Sequence, residues 1–377
     1  MEHDVIVVGV GGMGAAAADA LAGRGQRVLA LEQFGLAHAR GSSHGSTRIV
    51  RQAYFESPDY LPLLRRAYQL WDALPPALAL HRVGCLVLGH ADSPVLTGAA
   101  ATAARCGVAV QTLTAAEVRR RFPAFRPGDD EAALLEPDAG FVRPELTVAH
   151  LAGRARQRGA RVLTDQRVLA WEVTGDGVAV RTRDAVHRAA RLVLAAGAWT
   201  PALAGSLGIP IRVERRVMHF FTPSEPGRFA PARMPTFIWD LAAGDSLYGF
   251  PLDGADGVKV GFHNRGPVID PDRLQPDGSA EEVDEMRAVL DRHLPGAAGR
   301  LVRSTGCLYA STPDEDFVLG LVPGLDDRVV VAAGFSGHGF KFVPVVGEVV
   351  ADLVVEGTTP FDLGFLAPTR FAATADP

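Results

Sequence analysis

The sequence predicts an α/β (α+β) chain: a Rossmann-like domain assembled from separated segments, joined to a domain with a mixed, mainly antiparallel sheet. Three observations predict it. The chain opens with an apolar β-branched run, a glycine turn, an alanine-rich helix and a second apolar run. Two later apolar runs, Leu192 to Ala195 and Val329 to Ala333, also end in glycine turns before helical segments. Between them, Pro210 to Lys259 is rich in aromatics and prolines and reads as antiparallel strands.

In order along the chain, Asp4 to Val8 reads as a strand buried on both faces. Gly9, Gly11 and Gly14 follow in G-x-G-x-x-G spacing, which suits a tight turn, a close approach of pyrophosphate to the backbone, and a helix lying close to its strand. The helix is placed from about Met13 to Gly23. Val28 to Leu31 is the next strand, closed by Glu32, whose carboxylate can accept hydrogen bonds from ribose hydroxyls and would repel a 2′-phosphate. In register, these pieces form a Rossmann-like dinucleotide site, with FAD and NAD both open at this point.

The polar loop "QFGLAHARGSSHGSTRIVRQAY" follows, at the rim where a bound dinucleotide would run. Pro58 to Leu74 has amphipathic helical spacing, with Leu61, Leu64, Tyr68 and Leu70 or Trp71 inward and Arg65 and Arg66 outward. From Ala79 to Phe141, short strands ("GCLVLG", "VAVQTL") precede a helix with a capping box, Thr114 to Glu117. A helix over Thr147 to Gly159 leads to strands at Val162 to Leu163, Val168 to Val173 and Val178 to Thr182, with "TGDG" as a hairpin turn. Glu281 to His293 is a helix, and a long apolar helix follows the turn Gly334 to Gly339. The free amides and dipole of that turn can stabilise negative charge. The expected division is 1–78, 142–209 and 305–377 for the nucleotide domain, and 79–141 and 210–304 for the second.

Composition narrows the class. A chain of 377 residues with 47% hydrophobic residues supports two packed domains. No segment is apolar enough to span a membrane, and a net charge of −5 with interspersed signs points away from nucleic acid. The strand at the N-terminus leaves no room for a signal peptide, and "ATADP" is not a peroxisomal address, so a cytoplasmic enzyme is expected. Cys85, Cys106 and Cys307 have neither a disulfide framework nor metal-ligand spacing, and no metal is expected. The ordinary reading of each is a buried apolar residue.

Strung in order, "GVGGMG…E", "GSSHGSTRIVRQAY", "LVLAAGAWTP", "VKVGFH", "GCLYASTPDEDF" and "AAGFSGHGFKFVPVVGE" resemble the monomeric sarcosine oxidases and N-methyltryptophan oxidases, within the D-amino-acid-oxidase-like FAD enzymes. The resemblance covers nearly the whole chain. It implies a Rossmann-like FAD-binding domain and a substrate domain. It also implies oxidation of a secondary amino acid to an imine that hydrolyses to aldehyde and amino acid, with O2 reduced to H2O2.

The resemblance further implies covalent attachment of FAD through Cys307. Arg51 and Lys341 become the partners of a substrate carboxylate, which a guanidinium can bind with two parallel hydrogen bonds. Lys259 becomes the cation that promotes oxygen reduction, although a strand lysine without the resemblance would be read as solvent-facing. His263, Tyr248 and Tyr309 match substrate-pocket positions, and His44 and Arg48 lie against the flavin. Cofactor contacts are expected at Gly9, Val10, Gly11, Gly12, Met13, Gly14, Glu32, Gln33, Ser42, Ser43, His44, Arg48, Val168, Ala196, Gly197, Trp199, Cys307, Gly334, Phe335, Gly337, His338, Gly339, Phe340 and Lys341. His338 is read as a turn residue near the flavin. In "FIWDLAAGDSLY" no family pocket residue is matched, and Trp239 is either pocket wall or core. The expected partners are a small amino acid and O2, and the chain is expected to be a monomer. The competing readings are an oxidase of a cyclic imino acid such as pipecolate or proline or of a biosynthetic N-substituted amino acid, a flavin dehydrogenase using another acceptor, an NAD-dependent dehydrogenase, and a non-catalytic FAD-binding module.

Overall fold

The computed structural model describes residues 2–241 and 244–374. The last three residues of the C-terminal "ATADP" run, and Ala242 and Ala243 in the stretch between Phe237 and Tyr248, lie outside the described residues. In chain order the elements are β1 (His3–Val8), α1 (Gly12–Gly23), β2 (Val28–Leu31), β3 (Arg48–Val50), α2 (Leu61–Asp72), β4 (His81–Arg82), β5 (Cys85–His90), α3 (Pro94–Cys106), β6 (Gln111–Thr114), α4 (Ala115–Arg121), β7 (Glu131–Glu136), β8 (Gly140–Val142), α5 (Pro144–Gln157) and β9 (Arg161–Leu163). They continue with β10 (Val168–Thr174), β11 (Gly177–Thr182), β12 (Val186–Leu194), α6 (Thr200–Ala204), β13 (Arg212–Thr222), β14 (Thr236–Asp240), β15 (Ser246–Phe250), β16 (Val258–Phe262), α7 (Ala280–His293), β17 (Arg300–Ser311), β18 (Val318–Leu321), β19 (Val329–Ala333) and α8 (Val343–Val355).

The first sheet has a parallel centre, β9-β2-β1-β12-β19, held in register by pairs such as Ile6 with Leu29 and Leu192 with Val329. The β10–β11 hairpin and β18 extend it with antiparallel strands. Both faces of the centre are covered, so its strands are continuous apolar runs. One face packs on α1, α5 and α8, whose small residues let the helices lie close. Gly347 of α8 sits on α1, where an added Cβ would lie 2.7 Å from the Ala16 carbonyl oxygen.

The second sheet runs β17-β13-β16-β15-β14-β5-β7-β6, antiparallel throughout except where β14 meets β5. Val258 and Val260 of β16 enter a core with Trp239 and the inward residues of α7, while Lys259 turns to the opposite face. A small third sheet, β3-β8-β4, carries Arg48.

Several expectations shift. The helix expected from Thr147 begins at Pro144, because proline at the first helical position has no N–H to lose. A helix over Pro94–Cys106, capped by the Ser93 hydroxyl, was not anticipated; its alanine-rich sequence has weak amphipathic contrast. In "VAVQTL" only the last three residues, with Thr114 after them, pair as a strand, Gln111–Thr114. β17 continues to Ser311 in the second sheet, so the division expected between 304 and 305 falls inside a strand. Cys106 is partly exposed at the end of α3, whereas Cys85 is buried as expected.

Gly347→Ala should destabilise the chain by roughly 1–3 kcal/mol, since the new methyl meets backbone that cannot yield. Urea unfolding of the two forms measures this.

Candidate active site

The glycine turn after β1 is built by close approach. Gly9 has φ +90°, and an added Cβ there would lie 2.5 Å from the Ala195 oxygen. At Gly14 a Cβ would lie 1.8 Å from the Gly9 oxygen, so α1 can start only over a glycine. Gly11 differs: a Cβ would meet only the Ser43 Oγ at 3.6 Å, leaving its face open to a cavity. Ser43 Oγ accepts the Gly12 amide at 3.1 Å. Glu32, at the end of β2 and buried, accepts from the Val10 and Phe34 amides at 2.8 and 3.0 Å. A carboxylate has about four lone-pair sites, so two amides leave room for a ribose diol.

This cavity lies at the carboxyl ends of β1, β2, β12 and β19, where ligands bind in open α/β sheets. Of the expected cofactor contacts it is lined by Gly9, Val10, Gly11, Gly12, Met13, Glu32, Gln33, Ser42, Ser43, Arg48, Val168, Ala196, Gly197, Trp199, Gly334, Phe335, Gly337, Gly339 and Phe340. Gly14 lies behind the turn, and His44, Cys307, His338 and Lys341 do not line this cavity. His38, Gln166 and Arg167 line it without having been anticipated, since their loops have no motif.

A second cavity shares Arg48, Tyr309, Gly337 and Phe340 with the first and is closed by the second sheet. It gathers Arg51, Tyr248, Lys259, His263, Cys307, His338 and Lys341 from segments up to 290 residues apart in sequence. A glycine is required at 337: its φ is +79°, and a Cβ would lie 2.0 Å from the Tyr309 ring.

The charges here are buried and partnered. Arg51, 2% exposed, donates to Ala53 O at 2.7 Å and grips both oxygens of Glu56 at 2.7 and 2.8 Å. Glu56 is the site residue the sequence did not disclose, because it lies in a segment with no motif. Burial disfavours its charge, but the Arg51 guanidinium wins and holds its pKa down to about 2. Lys341 donates to His338 O at 2.6 Å, and burial lowers its pKa to about 7, with Glu56 opposing.

Lys259 is 3% exposed, not solvent-facing. Its ammonium donates to Gly45 O at 2.8 Å and Thr47 O at 2.7 Å, and lies 4.5 Å from the Phe250 ring centre. Burial, then Arg48, push its pKa down, while two carbonyls and a ring face favour the ammonium.

The remaining residues are held neutral. His263 Nδ1 and Tyr309 OH are hydrogen-bonded at 3.2 Å; burial pushes the histidine to about 4 and the phenol upward, so both are neutral. Tyr248 is raised likewise by burial. His338 is more than a turn residue: Nδ1 bonds the Tyr54 hydroxyl, Nε2 reaches Glu315 O at 3.0 Å, and burial lowers its pKa to about 3. His44 is buried, lowered to about 3, and its Nε2 has no partner among the described residues. Arg48 Nη2 lies 3.7 Å from Cys307 Sγ, placing a cation beside the sulfur. Trp239 belongs to the core, bonding Glu131 at 2.7 Å, and Ile238 on the same strand lines the cavity instead. Among the described residues no metal-ligand cluster occurs, and no helix is long and apolar enough to cross a membrane.

A dinucleotide cavity running into a buried cationic pocket defines a dinucleotide-dependent oxidoreductase. Residues 4–353 match the family described as FAD dependent oxidoreductase (DAO). Monomeric sarcosine oxidase of Streptomyces avermitilis is 44% identical, over 98% of both chains. N-methyl-L-tryptophan oxidase of Citrobacter koseri is 36% identical, over 98% of this chain and all of that one. The chain therefore belongs to the FAD-dependent oxidoreductases, in the group of monomeric sarcosine oxidases and N-methyltryptophan oxidases. Among solved structures, the open form of NikD, titled an unusual amino acid oxidase essential for nikkomycin biosynthesis, superposes with a TM-score of 0.85 at 30% identity, covering 97% of each chain. The residues fit FAD: Gly11 presents bare backbone, Glu32 lines the cavity with acceptor capacity left for ribose hydroxyls, and the buried His44 Nε2, without a partner among the described residues, lies on the loop before Arg48.

With Lys341 near 7, only its ammonium form, favoured as pH falls, can pair with a carboxylate. The dissociation constant for a carboxylate ligand such as acetate should rise above pH 7 by up to about tenfold per unit. Lys341→Met should abolish that slope and weaken binding by about 1.5–3 kcal/mol. Ligand titrations followed through flavin absorbance measure both.

Proposed function

We propose that this chain oxidises secondary, N-methyl amino acids such as sarcosine, as a cytoplasmic monomer with O2 as acceptor. The overall reaction turns the N-methyl substrate, O2 and water into formaldehyde, the free amino acid and H2O2. The observation that carries this reading is the pair of buried cations, Arg51 and Lys341, on the wall of the cavity that adjoins the dinucleotide site. Bound FAD supplies the two-electron acceptor for the substrate C–H bond and the route of those electrons to O2.

Arg51 and Lys341 hold the carboxylate and so fix which carbon faces the shared wall of the two cavities. Four cations, Arg48, Arg51, Lys259 and Lys341, line the pocket against one carboxylate, Glu56. That excess favours the uncharged form of the substrate amine, the form that can lose electrons. The neutral His263–Tyr309 pair offers hydrogen bonding without adding charge. Lys259 supplies a fixed positive charge in a dry site, which lowers the cost of forming superoxide from neutral oxygen. Cys307, on the wall of this pocket with the Arg48 guanidinium beside its sulfur, is the point of covalent FAD attachment.

Anaerobic bleaching of the flavin by sarcosine, N-methyl amino acids, pipecolate and proline tests the substrate class; the N-methyl compounds should bleach it fastest, and faster bleaching by the cyclic acids would replace the reading. Acid-precipitated protein should keep its flavin, and Cys307→Ala should release it. Lys259→Met should slow reoxidation by oxygen by on the order of a hundredfold while flavin reduction changes little. Stopped-flow measurement of the two half-reactions decides this.

A further inference from the structure

Beyond the residues that touch the pocket, the segment from the end of β7 to the start of α5 grips the strand that carries them. β8 pairs antiparallel with β3, setting Val142 beside Arg48 and Gly140 beside Val50. At one end of β3, the Glu136 carboxylate, 3% exposed, accepts the Gln52 amide at 2.9 Å and the Ala53 amide at 2.8 Å. Ala53 returns its carbonyl to Arg51 Nη1. At the other end, the Glu145 carboxylate accepts the Gly45 amide at 2.5 Å and the Ser46 amide at 3.1 Å. The carbonyls of Gly45 and Thr47 hold Lys259. Ser46 between them has φ +66°, a left-handed conformation that a serine keeps only when its surroundings impose it.

We infer that Glu136 and Glu145 are positioning residues that brace opposite ends of β3, Glu136 setting the guanidinium of Arg51 and Glu145 setting the carbonyls that aim Lys259. Each acts through backbone amides and touches neither substrate nor cofactor. The two ends serve different steps, carboxylate binding and oxygen reduction, so the bracket is separable. This inference rests on the functional reading above.

The test compares holoenzyme carrying Glu136→Gln or Glu145→Gln with the parent in both half-reactions. Glutamine preserves shape but offers an N–H where an amide needs an acceptor. Glu145→Gln should slow oxygen reoxidation of dithionite-reduced enzyme by on the order of tenfold, with the sarcosine dissociation constant within about twofold. Glu136→Gln should raise the sarcosine dissociation constant by on the order of tenfold and leave reoxidation within about twofold. Tyr68→Phe, which removes the hydroxyl 3.1 Å from Glu136, gives a milder change in the same direction and serves if Glu136→Gln fails to fold. Glu145→Asp serves the other end on the same terms, with slowed reoxidation as its expected result. Equal loss of both steps in either variant, or no change, overturns the inference. Failure of the parent enzyme to be bleached by any N-methyl amino acid would instead overturn the functional reading, and the dithionite arm would still judge Glu145.

Discussion

The constraint on which this site depends is the cost of burying positive charge. Arg51, Lys259 and Lys341 all lie within the protein with 4% or less of their surface exposed. Each is tolerated because the chain supplies acceptors: Glu56 for Arg51, two carbonyls for Lys259, one for Lys341. The acceptors come mostly from backbone in irregular turns, and those turns must be held. Carboxylates, glycines at positive φ and the β3–β8 pairing therefore all serve the same electrostatic requirement.

The two sheets divide the labour by geometry. The parallel sheet ends its strands together, which makes a cleft of bare backbone and helix starts suited to phosphates and ribose. The antiparallel sheet presents alternate side chains on one broad face, so Tyr248, Lys259 and Cys307 can stand close together from three strands. Its other face packs on α7. Gly337 brings the two halves together by letting the Tyr309 ring lie against the turn before α8.

Much of this was legible in the sequence where local chemistry is obligatory. Gly9, Gly11, Gly14 and Glu32 could be read because a tight turn, a bare approach and a strand-end acid each need one residue type at one spacing. The capping box at Thr114 was readable for the same reason. Lys259 was readable as a site residue only through the resemblance of the whole chain, since an alternating strand pattern does not say which face is covered. Glu56, Glu136 and Glu145 were not readable, because their partners are 5 to 100 positions away and are backbone amides, a single arginine and the Tyr68 hydroxyl. Trp239 could have been wall or core, and the packing of α7 decided for core.

The sequence by itself determined the dinucleotide turn, the parallel strands and the family, because those rest on short-range sterics and on residue types fixed at fixed spacing. Only the tertiary structure decided which charges are buried together, which acceptors hold them, and that the expected ribose acid also binds the Val10 and Phe34 amides. The physical reason is range: backbone conformation is set within a few residues, whereas the desolvation and pairing of a charge depend on every segment the fold brings around it.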